Sequence, residues 1–425
     1  MTLRPEIMTS VEQLGYRVTV GDIATQAGLE LNVARQGLLT LASDSGGHLQ
    51  VAESGEIIYL FPQNFKTILR NKYWKLRLKE TWKKIWNVLF YLIRISFGVI
   101  IIASVVLMMI TITMIIFAIS SSSEKDRDSQ ESRGPGYGKN FIFFHKFSDL
   151  FWIFYPEHNY NLHRDKSYQS SEINWQESDL NFLEAIFSFL FGEGNPNNDL
   201  EECRWREIGS VIRNNKGAII AEQVSPYLDK IAQYDENNED YMLPILSKFN
   251  GYPKVSSQGE IIYYFPELQV TAQLHKKRSV TSYLKEKPYS FSRASSRQIM
   301  LATGLGVLNF ILALILGYLI EDPKIINQMT GLVSFANSIY WILLVYAIAF
   351  LGTPLIRYFW VRWRNDRIEY RNIIRQKRAE NLLQPSEIIQ QKIKYACEFA
   401  AEKLITEADI SYTTEKDILE QEVKP

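Results

Sequence analysis

Few side chains in this chain have the types and spacing that chemistry requires. His158 and His163 flank Asn159 to Leu162 and would offer two imidazoles to a metal ion. Five residues apart, without cysteines or a defined helix, they read as polar loop residues instead. Cys203 and Cys397 are the two cysteines, too far apart in sequence for a Cys-x-x-Cys site or a disulfide framework. Gly134-Pro-Gly-Tyr-Gly-Lys139 puts glycines before a lysine, as a phosphate-cradling loop would, but lacks the spacing and the following Ser or Thr. No Ser/His/Asp or Cys/His arrangement can be assembled. The expected catalytic, cofactor and metal residues are therefore none, and the chain reads as non-enzymatic. An enzymatic reading has no residue behind it.

The elements around these residues carry more information. Gly55-Glu-Ile-Ile-Tyr-Leu-Phe-Pro62 recurs as Gly259-Glu-Ile-Ile-Tyr-Tyr-Phe-Pro266, with seven of eight positions identical. Each copy closes a segment of similar length and pattern, which predicts an internal duplication. In the first, Glu6–Leu14 is predicted as a helix and Tyr16–Val20 as a short strand. A second helix starts at Val20-Gly-Asp-Ile23, with Asp22 in its first turn. Leu31, Ala34, Leu38 and Leu41 give helical spacing to Leu29–Ala42, and His48–Glu53 and Glu56–Phe61 flank a Ser54-Gly55 turn. In the second, Trp205–Asn214, Glu222–Ala232 and Asp240–Asn250 are the helices, Ala218–Ile220 the short strand and Lys254–Phe265 the hairpin. Gln233–Glu239 is a polar insertion. Three helices followed by a two-stranded wing is the order of a winged helix.

Charge tests whether such units bind DNA. Residues 1–62 hold three Arg, no Lys and seven acidic residues, a net of −4. Residues 201–267 hold seven basic and eleven acidic residues, again −4, although the whole chain is neutral. Neither has the cations that phosphate contacts demand, and Arg35 is the one cation of the would-be recognition helix. Protein binding is the expected use. A membrane-tethered transcriptional regulator is the alternative.

Between and after the copies lie runs that predict membrane spans at 95–119, 299–320 and 331–355, each long enough for a hydrocarbon core of about 30 Å and free of Asp, Glu, Lys, Arg and His. They read as anchors rather than ion pathways. Gly306, Ala313 and Gly317 read either as a helix-packing face or as ordinary span composition. Basic clusters precede the first span (Lys75 to Arg94), precede the second (Lys285 to Arg297) and follow the last (Arg357 to Arg375). One crossing between Ile95 and Arg297 cannot leave all three on one face. Either a further segment crosses, Phe141–Pro156 being the candidate, or Ile85–Ile119 folds back, or one cluster misleads. The preferred expectation keeps both soluble units cytoplasmic.

The polar, acidic N-terminus has no signal-peptide pattern. With 46% apolar residues over 425 positions the chain can fill several cores. The expected organisation is an α+β membrane protein with two winged-helix-like units and a small transmembrane bundle. Its segments are unit one at 1–62, a basic juxtamembrane helix at 63–94, the first span at 95–119 and a polar, aromatic linker at 120–180. An amphipathic helix with unit two follows at 181–267, then a basic linker at 268–298, the spans at 299–320 and 331–355, and C-terminal helices with an acidic tail at 356–425. Lys66–Lys84, basic and interleaved with Tyr73, Trp74 and Trp82, reads as an interfacial anchor that contacts anionic lipid. Ile389, Ile393, Ala396, Ala400 and Leu404 form an apolar face able to dock on the winged units, on a second copy or on a partner.

Asn181–Asn197, with its Phe-rich run ending in Gly192-Glu-Gly-Asn-Pro-Asn197, Ala221-Glu-Gln-Val224 and Gly259–Pro266 resemble a family of uncharacterised cyanobacterial integral membrane proteins with relatives at the plastid envelope. The resemblance spans most of the chain. It implies a plasma or thylakoid membrane location and a lipid-embedded protein, and brings no established activity. Plastid relatives carry an iron–sulfur cluster biosynthesis label, which two isolated cysteines cannot support as a cluster scaffold within one chain. The expected function is a scaffold, adaptor or assembly factor that holds a protein partner. Homo-oligomerisation is possible, and nucleic acid is disfavoured.

Overall fold

The computed structural model describes residues 4–72, 74–123, 180–229, 239–273, 278–321 and 331–415. His158, His163, the Gly134–Lys139 loop, Phe141–Pro156 and most of Gln233–Glu239 lie outside them. The chain forms two compact units. One comprises Met1–Lys83, Asn195–Pro288 and Arg364–Pro425, the other Lys84–Gly194 and Tyr289–Trp363.

The first unit begins with helix α1 (Pro5–Gln13), strand β1 (Arg17–Thr19), helices α2 (Val20–Ala27) and α3 (Leu31–Ser45), and the hairpin β2 (His48–Ala52) and β3 (Ile57–Leu60). Local chemistry sets these boundaries. Thr19 and Asp22 form a reciprocal capping box, with the Asp22 amide donating to Thr19 Oγ1 at 3.1 Å and the Thr19 amide to Asp22 Oδ2 at 2.8 Å. Gly55 takes φ +86° at the hairpin turn, a conformation open to glycine at little cost.

The same order of elements returns between residues 200 and 264. A helix at Leu200–Asn214 leads to β4 (Ala218–Ile219), a short helix at Ala221–Val224, a helix at Leu243–Phe249, and β5 (Tyr252–Val255) and β6 (Ile261–Tyr264). In both segments the short strand lies against the second hairpin strand, Val18 opposite Tyr59 and Ile219 opposite Tyr263. Phe61 N donates to Tyr16 O at 2.9 Å and Phe265 N to Gly217 O at 2.8 Å; Ala52 N donates to Glu56 O at 2.9 Å and Ser256 N to Glu260 O at 2.8 Å. The expected helix Glu222–Ala232 is shorter than its pattern. It runs from Ala221 to Val224 and continues as a single 3-10 turn at Ser225–Tyr227, because Pro226 brings no N–H to extend it. The helix expected from Trp205 starts earlier, at Leu200.

The two segments share one core. Ile7, Val11, Ile23 and Leu38 from the first pack in a continuous cluster with Ile208, Ile212, Phe249 and Phe265 from the second. Glycines let the backbones close: a Cβ on Gly21 would collide with the Glu267 carbonyl, and one on Gly209 would sit 3.1 Å from Thr25 Cα. The C-terminal segment covers the second sheet and adds a strand to the first. Of the apolar face expected there, Ile389, Ile393 and Ala396, on the helix Glu387–Glu398, pack over Ile220 and Ile262. Strand β7 (Val270–Thr271) then pairs in parallel with β8 (Lys403–Leu404). Strand β9 (Ile410–Thr413) adds to β2, giving the order β1-β3-β2-β9 beside a separate β4-β6-β5 sheet.

The second unit holds three helices long and apolar enough to cross a membrane, at Lys84–Ile119, Ser296–Ile320 and within Leu332–Leu383. The first belongs to one helix from Trp74 to Ser123, with no fold-back. Ser104 donates to the fully buried Asn309 at 2.8 Å. Gly306 faces the Phe350 ring, which an added Cβ would approach to 2.6 Å, Gly317 faces Tyr340, and Ala313 is fully buried, so the small residues form a packing face.

Phe182–Phe191 belongs to this unit and not with the segment that follows it, so the expected 181–267 grouping divides after Gly194. Its aromatic face explains why. Phe187 and Phe191 pack on Phe97, Phe189 on Phe350, and Leu183 against Gly98. Just before it, Leu180 O accepts from Gln298 Nε2 at 2.7 Å.

Candidate functional site

The first unit holds its polar chemistry at three places, each built from residues far apart in sequence. The first is the seam between α2 and Leu200–Asn214. Asp22, fully buried, uses one carboxylate oxygen for its capping box and for the Ala272 amide at 3.3 Å. The other accepts from Thr271 Oγ1 at 3.2 Å and pairs with Arg213. Arg213 also donates to Thr25 Oγ1 at 3.1 Å. Beside this pair opens a groove of about 850 Å³, walled by α1 and α2 on one side and by Arg206, Ser210, Arg213 and Lys216 on the other. Thr9, Ser10 and Gln13 of α1 supply hydroxyl and amide groups, and Arg278 and Glu402 complete the rim.

The second place surrounds Arg375, 1% exposed, which pairs with Asp229 and with Glu286 at 2.7 Å. Arg371 makes two hydrogen bonds to Glu286, at 2.7 and 2.6 Å, and Arg204 closes on Asp229. Burial acts to raise both acids, but the hydrogen bonds and charges of these arginines outweigh it and hold Asp229 and Glu286 below the usual carboxylate range.

The third gathers three carboxylates on one cation. Lys392 Nζ lies 2.9 Å from Glu222, 3.1 Å from Glu239 and 3.6 Å from Glu260. Tyr263 donates to Glu239 at 2.6 Å. Burial, with the hydrogen bond to Glu239, raises the Tyr263 phenol far above its ordinary value. The ammonium occupies the centre of the carboxylates, so this cluster fastens the C-terminal helix rather than awaiting a metal.

Sequence reasoning singled out few of these groups. Asp22 was legible as a first-turn acid but not as an ion-pair partner of Arg213, 191 positions away. Arg35 is spent: its guanidinium pairs with Glu267 at 2.8 Å. Lys66 pairs with Glu12. Cys203 is half-buried, with its thiol pushed up by burial and then by Asp199, while Cys397 is exposed; both are free. Among the described residues, no group of three or more His, Cys, Asp or Glu is arranged to hold a metal ion.

No family model matches the chain, and no solved structure does. A protein of Arabidopsis thaliana described as uncharacterized and chloroplastic, At5g03900, is 34% identical over 432 aligned residues, which cover 99% of this chain and 80% of the relative. Iron–sulfur chemistry forms no part of that protein's name. With that identity maintained along nearly its whole length, the chain belongs to the family of this chloroplastic protein.

Proposed function

We propose that the chain is a non-enzymatic integral membrane scaffold of a cyanobacterial plasma or thylakoid membrane. Two winged-helix-like modules, related by internal duplication, form one extramembrane unit that holds a protein partner. The carrying observation is that residues before the first long helix, between the first and second, and after the third contribute to one compact unit. Segments that share a core lie on the same face of a membrane.

The second unit supports this independently. Leu180–Phe191 is held against Phe97, Gly98 and Gln298, whereas the first long helix continues 25 residues beyond Gly98 to Ser123, about 37 Å at 1.5 Å per residue. On this reading Ser123 lies at the far face and Leu180 at the near one. All three basic clusters then flank the near face, as the positive-inside rule requires of a cytoplasmic side. DNA binding is disfavoured by occupied cations: Arg35 is tied to Glu267, and Lys248 of the helix Leu243–Phe249 stacks 4.3 Å from the Trp205 ring.

Single cysteines at the exposed Ser54, Ser257 and Ser411, with Cys203 and Cys397 replaced by serine, test the one-sided arrangement. In sealed membrane vesicles an impermeant maleimide labels all three or none. Labelling of Ser257 on the opposite side from Ser54 would refute it. The scaffold role requires that crosslinking of the full chain in native membranes captures one stoichiometric protein partner. Its absence, or a gel shift of duplex DNA at low salt, would displace this reading.

A further inference from the structure

We propose that the groove between α1, α2 and Leu200–Asn214 binds a small phosphate-bearing ligand. The acidic surroundings make its lining unusual. Residues 1–62 and 201–267 each carry a net charge of −4, yet Arg206, Arg213, Lys216 and Arg278 converge on this one opening. Asp22 neutralises only Arg213. Arg206 keeps a buried Nε with no hydrogen-bond partner among the described residues, and its ion pair to the exposed Glu202 is long, at 3.5 Å. Lys216 and Arg278 have no carboxylate partner among the described residues; they line the groove as exposed residues, as do Glu6 and Glu402.

Three cationic groups are thus left without full compensation, opposite a wall of hydroxyls and amides. Guanidinium forks and an ammonium suit the tetrahedral oxygens of a phosphate. A cavity of about 850 Å³ admits a ligand of nucleotide size. The acidic surface around it repels a long polyanion, so the groove selects a small one.

The test is calorimetric titration of the full-length, detergent-solubilised chain with sodium pyrophosphate at constant ionic strength. One saturable site per chain is expected. Arg206→Gln, which removes a charged hydrogen-bonding partner, weakens binding by about tenfold or more. Glu402→Gln, which removes a repelling rim charge, tightens it. Lys254→Gln, at a lysine that does not line the groove, leaves it unchanged. Short-chain dihexanoyl phosphatidylglycerol identifies the source of the phosphate: displacing pyrophosphate at lower concentration marks a lipid headgroup, and failing to compete marks a soluble compound. No saturable heat into the millimolar range would overturn the proposal, as would equal losses in Arg206→Gln and Lys254→Gln. Neither outcome bears on the scaffold reading, which rests on the shared core and the membrane crossings.

Discussion

Replacing Asp22 by asparagine keeps the shape of the side chain and removes its charge. In the native unit this carboxylate is wholly buried and accepts from the Thr19 amide, the Ala272 amide, Thr271 and Arg213. The substituted amide would retain one carbonyl oxygen for four donors and would turn an NH2 group toward two of them. The capping share of the loss is about 1 kcal/mol. Leaving Arg213 without its buried counter-charge costs about 3–5 kcal/mol, so the capping term is the minor one. With an unfolding slope of about 2–3 kcal/mol per M urea, the midpoint of the first unit falls by roughly 1.3–3 M. Pulse proteolysis of the solubilised full chain across a urea series reads that midpoint. The double variant Asp22→Asn, Arg213→Gln recovers a large part of the loss, because no buried charge is then unpaired. A shift below about 0.3 M for Asp22→Asn, small beside the slope just used, or strict additivity in the double variant, would show that the pair does not hold the seam.

Three further outcomes follow from other contacts. Asp229 and Glu286 have pKa values held below their unfolded ones, so their contribution to stability is fully present above about pH 4 and is lost as pH falls through the lowered values. The first unit therefore keeps a flat stability from neutral pH down to the ordinary carboxylate range and unfolds below it; Glu286→Gln, measured by the same proteolysis, lowers neutral stability and flattens that acid limb. Gly306→Ala drives a Cβ to 2.6 Å from the Phe350 ring and costs about 1–3 kcal/mol, read as a lowered melting temperature in detergent, whereas Gly304→Ala meets nothing within 4 Å and leaves it unchanged. In the first sheet Leu49 N donates to Thr414 Oγ1 at 2.8 Å, while the residue in register on β5 is Pro253, which has no N–H. Pro253→Val restores a donor to this open edge and promotes edge-to-edge association, seen as a larger species in light scattering; a particle mass equal to that of the parent protein would refute the role assigned to the proline.

What the sequence revealed and what it withheld divide by range. The Gly55 and Gly259 turns, the three apolar runs and the small-residue face at Gly306, Ala313 and Gly317 are written in neighbouring residues or in one helical period. The docking face of Ile389, Ile393 and Ala396 was equally legible, though not what it would cover. The groove, the Asp22–Arg213 pair, the Arg375 network and the Lys392 cluster are not, since each joins side chains that only tertiary docking brings together. Strand β9 was missed because four residues in an acidic tail have no periodicity of their own and owe their conformation to the edge of β2. Phe182–Phe191 was grouped with the segment after it because adjacency along the chain was the one cue available, while its partners are Phe97 and Phe350.

The interleaving of the first unit's segments with long apolar helices constrains how the protein is made. Arg17 donates to the carbonyls of Ala272, at 2.6 Å, and of Ile405, at 3.0 Å, so this side chain waits for a partner synthesised 388 residues later. The burial that retains Asp22 needs Arg213, and the sheet edge at β2 stays bare until Ile410–Thr413 arrives. Closure of the unit therefore comes after every long helix among the described residues has been synthesised, and contacts this remote form slowly. A nascent chain whose helices were inserted in the wrong number would deliver its segments to opposite faces and could never close. On the one-sided arrangement proposed above, the exposed N-terminal segment would then be open to proteases, and completion of this unit would report correct threading of the long helices.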